Sequence, residues 1–360
     1  MIAIDRVCGW RGFVGAHLRD LIRHKAIGLE IGEAPVGIAK FGTTRRRPVV
    51  GLYGLLATPQ AHAQDRIGVT TPTTNGPWYT NILYGITDEA KNLGYSVTIL
   101  DAGGYANVDK QVSQMQTLIV QKVKAILLDP ADPAAFNGVV RQAKAAKIPV
   151  IGSGTPKVAS SIEPDGASSS AHCNIGKEMA AGAEKLLPNG GTMAVLAGPP
   201  AAYWATERLR CFKEAIKGTK LKIVAEKTSE QDAATTLTLA NDFLQRFPNV
   251  DLLYGADDAY GIGAARAVQG VHKCGKIKVL FAVFGADAEE LMRAGCVDYV
   301  VAQQVVQIGR NAVDLADKLI KGQPVANKLM EVSLINVTKA NMDSIDKSVI
   351  QAPKGWSPSL

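Results

Sequence analysis

Histidine is scarce in this 360-residue sequence: there are five, and beyond residue 63 only His172 and His272. Two histidines cannot build a three-histidine metal centre, and Cys173, directly after His172, points away from it on any helix, so no metal site is expected. Motifs for covalent catalysis are missing as well. No G-x-S-x-G elbow occurs, the "GSGT" at 152–155 does not supply one, and no Walker loop is present. Gly261 and Gly263 in "YGADDAYGIGAAR" make half of a dinucleotide fingerprint, but the third glycine is absent and Asp257 and Asp258 would repel a pyrophosphate. Close packing of a helix on a strand explains those glycines better. The paired aspartates could do acid–base work, but a helix cap for Asp258 and a cleft-facing role for Asp257 account for them. No enzyme, catalytic residue or cofactor is expected.

Cysteine is sparse and unpatterned: five residues, no C-x-x-C. Cys274 closes the segment before the apolar run "KIKVLFAVF" and Cys296 follows the helix after it. An out-and-back excursion of that kind returns both to one sheet edge, which predicts a disulfide, the alternative being buried free thiols.

Charge is balanced once its position is considered. The formal net charge of +7 suggests nucleic acid at first sight, but residues 1–64 hold nine Lys/Arg and four Asp/Glu, leaving 31 and 29 for the rest. No nucleic-acid partner is expected, and residues 1–64 contain no recognition-helix pattern. Their end, "RRRPVVGLYGLLATPQAHAQ", is a positive stretch, a short apolar run and a small-x-small close, the pattern of a secretory signal. Residues 1–63 are read as a signal peptide with an N-terminal extension, cleaved near Ala63. The apolar run is too short for a permanent membrane span.

What remains is regular. Nine strand-like runs, starting with "RIGVTT" and ending with "YVVAQQ" at 299–304, alternate with stretches of helical periodicity. This repetition predicts an α/β protein with parallel sheets covered on both faces, and nine strands exceed one ordinary doubly wound sheet. The Gly-, Ser- and Pro-rich "GTPKVASSIEPDGASSS" reads as a linker near residue 168. The expected architecture is two doubly wound lobes joined by a hinge: residues 65–168 plus 304–330, and residues 169–303 plus 331–360.

In parallel sheets ligands bind beyond the carboxyl ends of the strands. Those positions hold Asn75, Trp78, Tyr79, Tyr105, Asp129 and Gly154 in the first half, and Tyr203, Trp204, Arg208, Gln231, Asp257, Phe284 and Gln303 in the second. Aromatic content is only 6%, yet Trp78 and Tyr79 stand together at a strand-to-helix turn in "TNGPWYTNILYG". Polar and aromatic groups gathered at loop ends describe a small-molecule cleft.

The stretches "DKQVSQMQTLIVQKVKAILLDPAD", "GPPAAYWATERLRCFKEAI", "FPNVDLLYGADDAYGIGAARA" and "VVAQQVVQIGRNAVDLADKLIKGQPV" resemble the periplasmic binding proteins of the ribose-binding type, whose fold is shared by the cores of LacI-type repressors. The resemblance implies a periplasmic, monomeric binding protein that delivers a sugar or sugar-like ligand to the permease of an ABC importer. It implies a ligand set of Asn75, Trp78, Tyr79, Tyr105, Asp129, Arg208, Asp257, Phe284 and Gln303, with Trp78 and Tyr79 stacking on the ligand. Two positions depart from the family's pattern: its carboxylates that hold vicinal hydroxyls fall at Gly154 and Phe284. "LYGITDEAKNLGYSVTILDAGGY" and "APKGWSP" are further similar to the TorT-type branch, sensors of trimethylamine N-oxide that signal to a membrane histidine kinase. That resemblance implies an aromatic cage of Trp78, Tyr79, Tyr105 and Phe284 around a methylated head group.

Overall fold

A computed structural model of the chain describes residues 64–360. The expected signal peptide, its cleavage point near Ala63 and Cys8 lie outside the described residues. The rest folds as two six-stranded sheets, both covered by helices. In the first lobe β1 (Arg66–Thr71), β2 (Ser96–Asp101), β3 (Ala125–Leu128), β4 (Val150–Ser153) and β5 (Gly166–Ser169) are parallel and are flanked by α1 (Pro77–Asn92), α2 (Val108–Val120) and α3 (Asn137–Ala145). The second lobe starts at α4 (His172–Leu186) and continues through β6 (Gly191–Ala197), α5 (Tyr203–Ala215), β7 (Leu221–Thr228), α6 (Ala233–Arg246), β8 (Leu252–Gly255), α7 (Asp258–Gly270), β9 (Lys278–Ala282), α8 (Ala286–Arg293) and β10 (Tyr299–Gln303). The chain then returns: α9 (Val305–Ile320) packs on the first sheet and β11 (Leu329–Glu331) joins its edge beside β5. Finally β12 (Leu334–Val337) crosses back to pair antiparallel with β10. The strand orders are β11-β5-β4-β3-β1-β2 and β12-β10-β9-β8-β6-β7.

The central strands are buried on both faces, as parallel strands between helices must be; "AILL" of β3 and "LLYG" of β8 have no exposed residue. Gly261 behaves as read: a Cβ there would stand 2.0 Å from the Phe281 ring, so only glycine lets α7 settle on β9.

Three features differ from the sequence reading. The "linker" contains β5, a fully buried strand of small residues held between β4 and β11. Its sequence, "GASS", carries none of the β-branched or aromatic signal that marks a strand, and its burial comes from its neighbours. The tail does not stay with the second lobe, to which 331–360 were assigned: Ala352 N–H donates to Asn81 Oδ1 on α1 at 2.9 Å and Trp356 meets Tyr84 edge-on at 5.4 Å. Finally, Asp257 stands at the N-cap of α7 and shares the capping expected of Asp258: Ala259 N–H donates to Asp257 Oδ1 at 3.0 Å and to Asp258 Oδ1 at 2.8 Å.

Two disulfides staple the second lobe. Cys274–Cys296 forms as expected from the excursion through β9 and α8, and Cys173–Cys211, not anticipated, joins α4 to α5.

Candidate binding cleft

The carboxyl ends of the parallel strands of the two sheets face one another across a narrow cleft. The first lobe contributes Trp78, Tyr79, Tyr105, Asp129 and Gly154; the second contributes His172, Trp204, Arg208, Gln231 and Asp257. Trp78 and Tyr79 open α1, with Pro77 fixing its first turn and the rings edge-to-face at 4.9 Å. Tyr105 follows β2. Asp129 follows β3, where Gln111 fastens the loop by donating to Asp129 O at 2.7 Å and accepting from Ala131 N–H at 2.9 Å.

The aromatic groups form a chain of hydrogen bonds across the cleft. Trp204 Nε1–H donates to Tyr105 Oη at 2.7 Å, the Tyr105 and Tyr79 hydroxyls share a bond of 2.7 Å, and Tyr79 Oη–H donates to Asp129 Oδ2 at 3.1 Å. On the second lobe Arg208 is 3% exposed, donates through Nη1 to Ala256 O at 3.1 Å and lies over the Trp204 ring at 4.9 Å. Gln231 Nε2 donates to Asp257 Oδ2. His172 joins the lobes, with Nε2 3.2 Å from Gly154 O and Nδ1 3.5 Å from Arg208 Nη2.

Burial dominates the electrostatics. It pushes the Asp129 carboxyl up to about 7, against the opposing pull of the Tyr79 hydroxyl and the Arg208 guanidinium. Asp257 is raised for the same reason, with Arg208 pulling it down, and Asp258 is raised by burial and by Asp257. His172 is driven well below its ordinary value by burial and by Arg208, which keeps the ring neutral. The sign for Asp129 follows: a carboxyl whose folded pKa exceeds its unfolded value holds a proton that the unfolded chain has lost, so folding weakens as pH rises from about 4 to about 7. His172 acts in the opposite sense below its unfolded value. Comparing Asp129→Asn with the wild type removes that background. The variant is expected to gain stability relative to wild type, by about 3 kcal/mol between pH 4 and pH 8, in urea melts at the two pH values. A pH-independent difference would show that Asp129 is not held protonated by its burial.

Three buried polar atoms on cleft residues have no protein partner: Trp78 Nε1, Arg208 Nε and Gln231 Oε1. Two donors and an acceptor, beside aromatic faces and carboxylates, suit a ligand rich in hydroxyls.

Of the nine residues expected to meet the ligand, six line the cleft and three do not. Asn75 is exposed at its rim, in a side groove with Glu230 and Asp232. Phe284 is wholly buried: β9 ends at Ala282, and Val283, with a φ of +74°, turns the chain before the ring. Gln303 is also buried, at the end of β10 where that strand pairs with β12. His172, Trp204 and Gln231 were absent from that set of nine. The last two stand at strand ends that the parallel pattern marks, whereas His172 follows β5, the strand hidden in the apparent linker. Without Phe284 the expected aromatic cage loses a wall, and the buried guanidinium of Arg208 would oppose a cationic head group.

Two parallel-sheet lobes closing on a polar and aromatic cleft define a solute-binding protein. The chain belongs to the periplasmic binding protein family: residues 67–324 match the model of the periplasmic binding protein domain. It is 30% identical over 286 residues to the ribose import binding protein of Salmonella typhimurium, covering 78% of this chain and 94% of that one. The D-allose-binding periplasmic protein of Escherichia coli is 28% identical, over 79% of this chain and 94% of its own length. Among solved structures, an ABC transporter solute-binding protein from Agrobacterium vitis with bound D-fucose superposes with a TM-score of 0.75 at 25% identity, covering 80% of this chain and all of the other. The sensor reading draws no support from these relatives.

Proposed function

We propose that this protein is the periplasmic solute-binding component of an ABC importer and takes a monosaccharide or sugar-like polyol into the cleft between its lobes. The unpartnered Trp78 Nε1, Arg208 Nε and Gln231 Oε1, converging beside four aromatic rings, carry this reading. Hydroxyl groups would complete those bonds while the apolar face of the ring stacks on Trp78 or Trp204. Closure follows from the same contacts. A ligand bound to both lobes favours the arrangement in which Tyr105 meets Trp204 and His172 meets Gly154, and the permease then reads the closed pair of lobes. The relatives named for ribose, allose and fucose support a sugar, and the two disulfides suit an oxidising compartment. The mature protein is proposed to act as a monomer starting near Gln64.

Isothermal titration against D-ribose, D-allose, D-fucose and neutral polyols tests the ligand class; absence of heat with every one of them would overturn it. For a sugar that binds, Trp78→Ala is expected to weaken affinity by about 2 kcal/mol, roughly thirtyfold, through loss of a stacking face and a donor. An unchanged Kd would remove Trp78 from the site.

A further inference from the structure

Cys173 directly follows His172 at the start of α4, and Cys211 stands three residues beyond Arg208 on α5. Their disulfide, with Cα atoms 5.2 Å apart, therefore ties together the two helices that carry His172, Trp204 and Arg208. The same helices also meet through the Arg208–His172 contact, and within α5 Arg208 lies over the Trp204 ring. The sulfurs have their own surroundings: Arg210 Nη2 lies 3.1 Å from Cys211 Sγ and 3.9 Å from Cys173 Sγ, nearer to Cys211 than its ion-pair partner Glu207, whose Oε1 is 3.7 Å from that sulfur, and Cys173 is half-buried. A guanidinium beside a sulfur stabilises the thiolate that departs when a disulfide is attacked. The second disulfide differs in position. Cys274 and Cys296 precede β9 and β10, which puts them at the amino ends of those strands, opposite the cleft.

We propose that Cys173–Cys211 is a redox-responsive positioning element of the cleft. Oxidised, it holds α4 against α5 so that His172, Trp204 and Arg208 keep one geometry; reduced by a dithiol, it lets them part and ligand affinity falls. In that reduction a thiolate of the dithiol attacks Cys173 Sγ and the S–S bond breaks, with Cys211 leaving as a thiolate beside Arg210. The reductant's second thiol then attacks the mixed disulfide and frees Cys173. Two electrons and two protons pass to the protein, and the dithiol ends as its own disulfide. The affinity consequence rests on the sugar-binding reading; the positional one does not.

The two are separated by measuring C173S/C211S and C274S/C296S in parallel, first without ligand and then by titration with D-ribose and D-allose. In ligand-free ¹⁵N–¹H spectra, loss of the first pair is expected to move the Trp204 indole N–H signal, because the ring lies under Arg208 on a helix the disulfide fixes. Binding weakens on the order of tenfold as preorganisation is lost. Loss of the second pair lowers the melting temperature but leaves the Trp204 signal and the affinity in place. Should C173S/C211S not fold, dithiothreitol titration of C274S/C296S reduces the remaining disulfide alone and gives the same readout. An unmoved Trp204 signal overturns the proposal whichever sugars bind. If the unmodified protein binds none of D-ribose, D-allose, D-fucose and the neutral polyols, the ligand class is wrong, and the Trp204 signal still decides the role of the disulfide.

Discussion

Replacing Arg208 by leucine is expected to abolish measurable sugar binding and to destabilise the protein increasingly as pH rises. The guanidinium is the cation closest in effect to Asp257 and Asp258, two carboxyls that burial already pushes up. Removing one partner from a buried charged group costs about 3–5 kcal/mol when the other charge is left uncompensated. Here the aspartates can escape by taking up protons, so their folded pKa values rise further. Groups raised in this way stabilise the fold fully below the unfolded carboxylate value and lose that contribution as pH climbs through the folded one. The deficit of Arg208→Leu relative to wild type should therefore be small near pH 4 and largest at pH 8. Binding suffers by a separate route. The Nε donor that no protein group satisfies disappears, and Trp204 loses the cation above its ring. Each is worth on the order of 1–3 kcal/mol, so a hundredfold or greater loss of affinity is expected. A variant that binds within threefold of wild type, or whose stability deficit is flat from pH 4 to pH 8, would remove Arg208 from the centre of the cleft.

How much of this was legible in the sequence depends on where the signal lay. The apolar strands β1, β3, β8 and β9 announce themselves, and because they are parallel, their carboxyl ends predict the wall of the cleft. Trp78, Tyr79, Tyr105, Asp129, Arg208 and Asp257 were found by that rule and line it. The rule failed where a strand was invisible. β5 is built of glycine, alanine and serine and is stabilised by β4 and β11, the latter from a part of the chain about 160 residues away. With β5 unread, His172 was not seen to follow the carboxyl end of a strand, and so was not counted among the cleft residues. Phe284 and Gln303 differ: both follow or end strands and are buried, Phe284 after the turn at Val283 and Gln303 where β10 pairs with β12, with its Nε2 lacking a protein partner. Sequence spacing gives the end of a strand, whereas side-chain direction beyond it depends on one or two dihedral angles.

Restoring the family's carboxylate at position 154 is expected to damage this protein. Gly154 has φ of +91°, a left-handed conformation that costs a residue with a Cβ roughly 1–2 kcal/mol, and a Cβ built there would lie 2.4 Å from Trp78 Cη2. The Trp78 benzo edge thus covers the glycine that stands in the position of the carboxylate. Trp78, an aromatic wall of the cleft, thereby fills the space that a side chain at 154 would need. Gly154→Asp alone must push the indole away from the cleft. It also disturbs a backbone segment whose N–H donates to Ser168 O at 2.8 Å and whose carbonyl accepts from Ser169 Oγ and faces His172. Strain and overpacking together predict a loss of about 3 kcal/mol in unfolding free energy, and displacement of Trp78 predicts at least tenfold weaker sugar binding in place of a gain. Gly154→Asp with Trp78→Phe relieves the contact but not the dihedral strain, so stability should recover in part, to within about 1–2 kcal/mol of wild type. Chemical melts and titration calorimetry on the single and double variants decide the matter. If Gly154→Asp alone is as stable as wild type and binds sugar as tightly, the indole is not committed to that space.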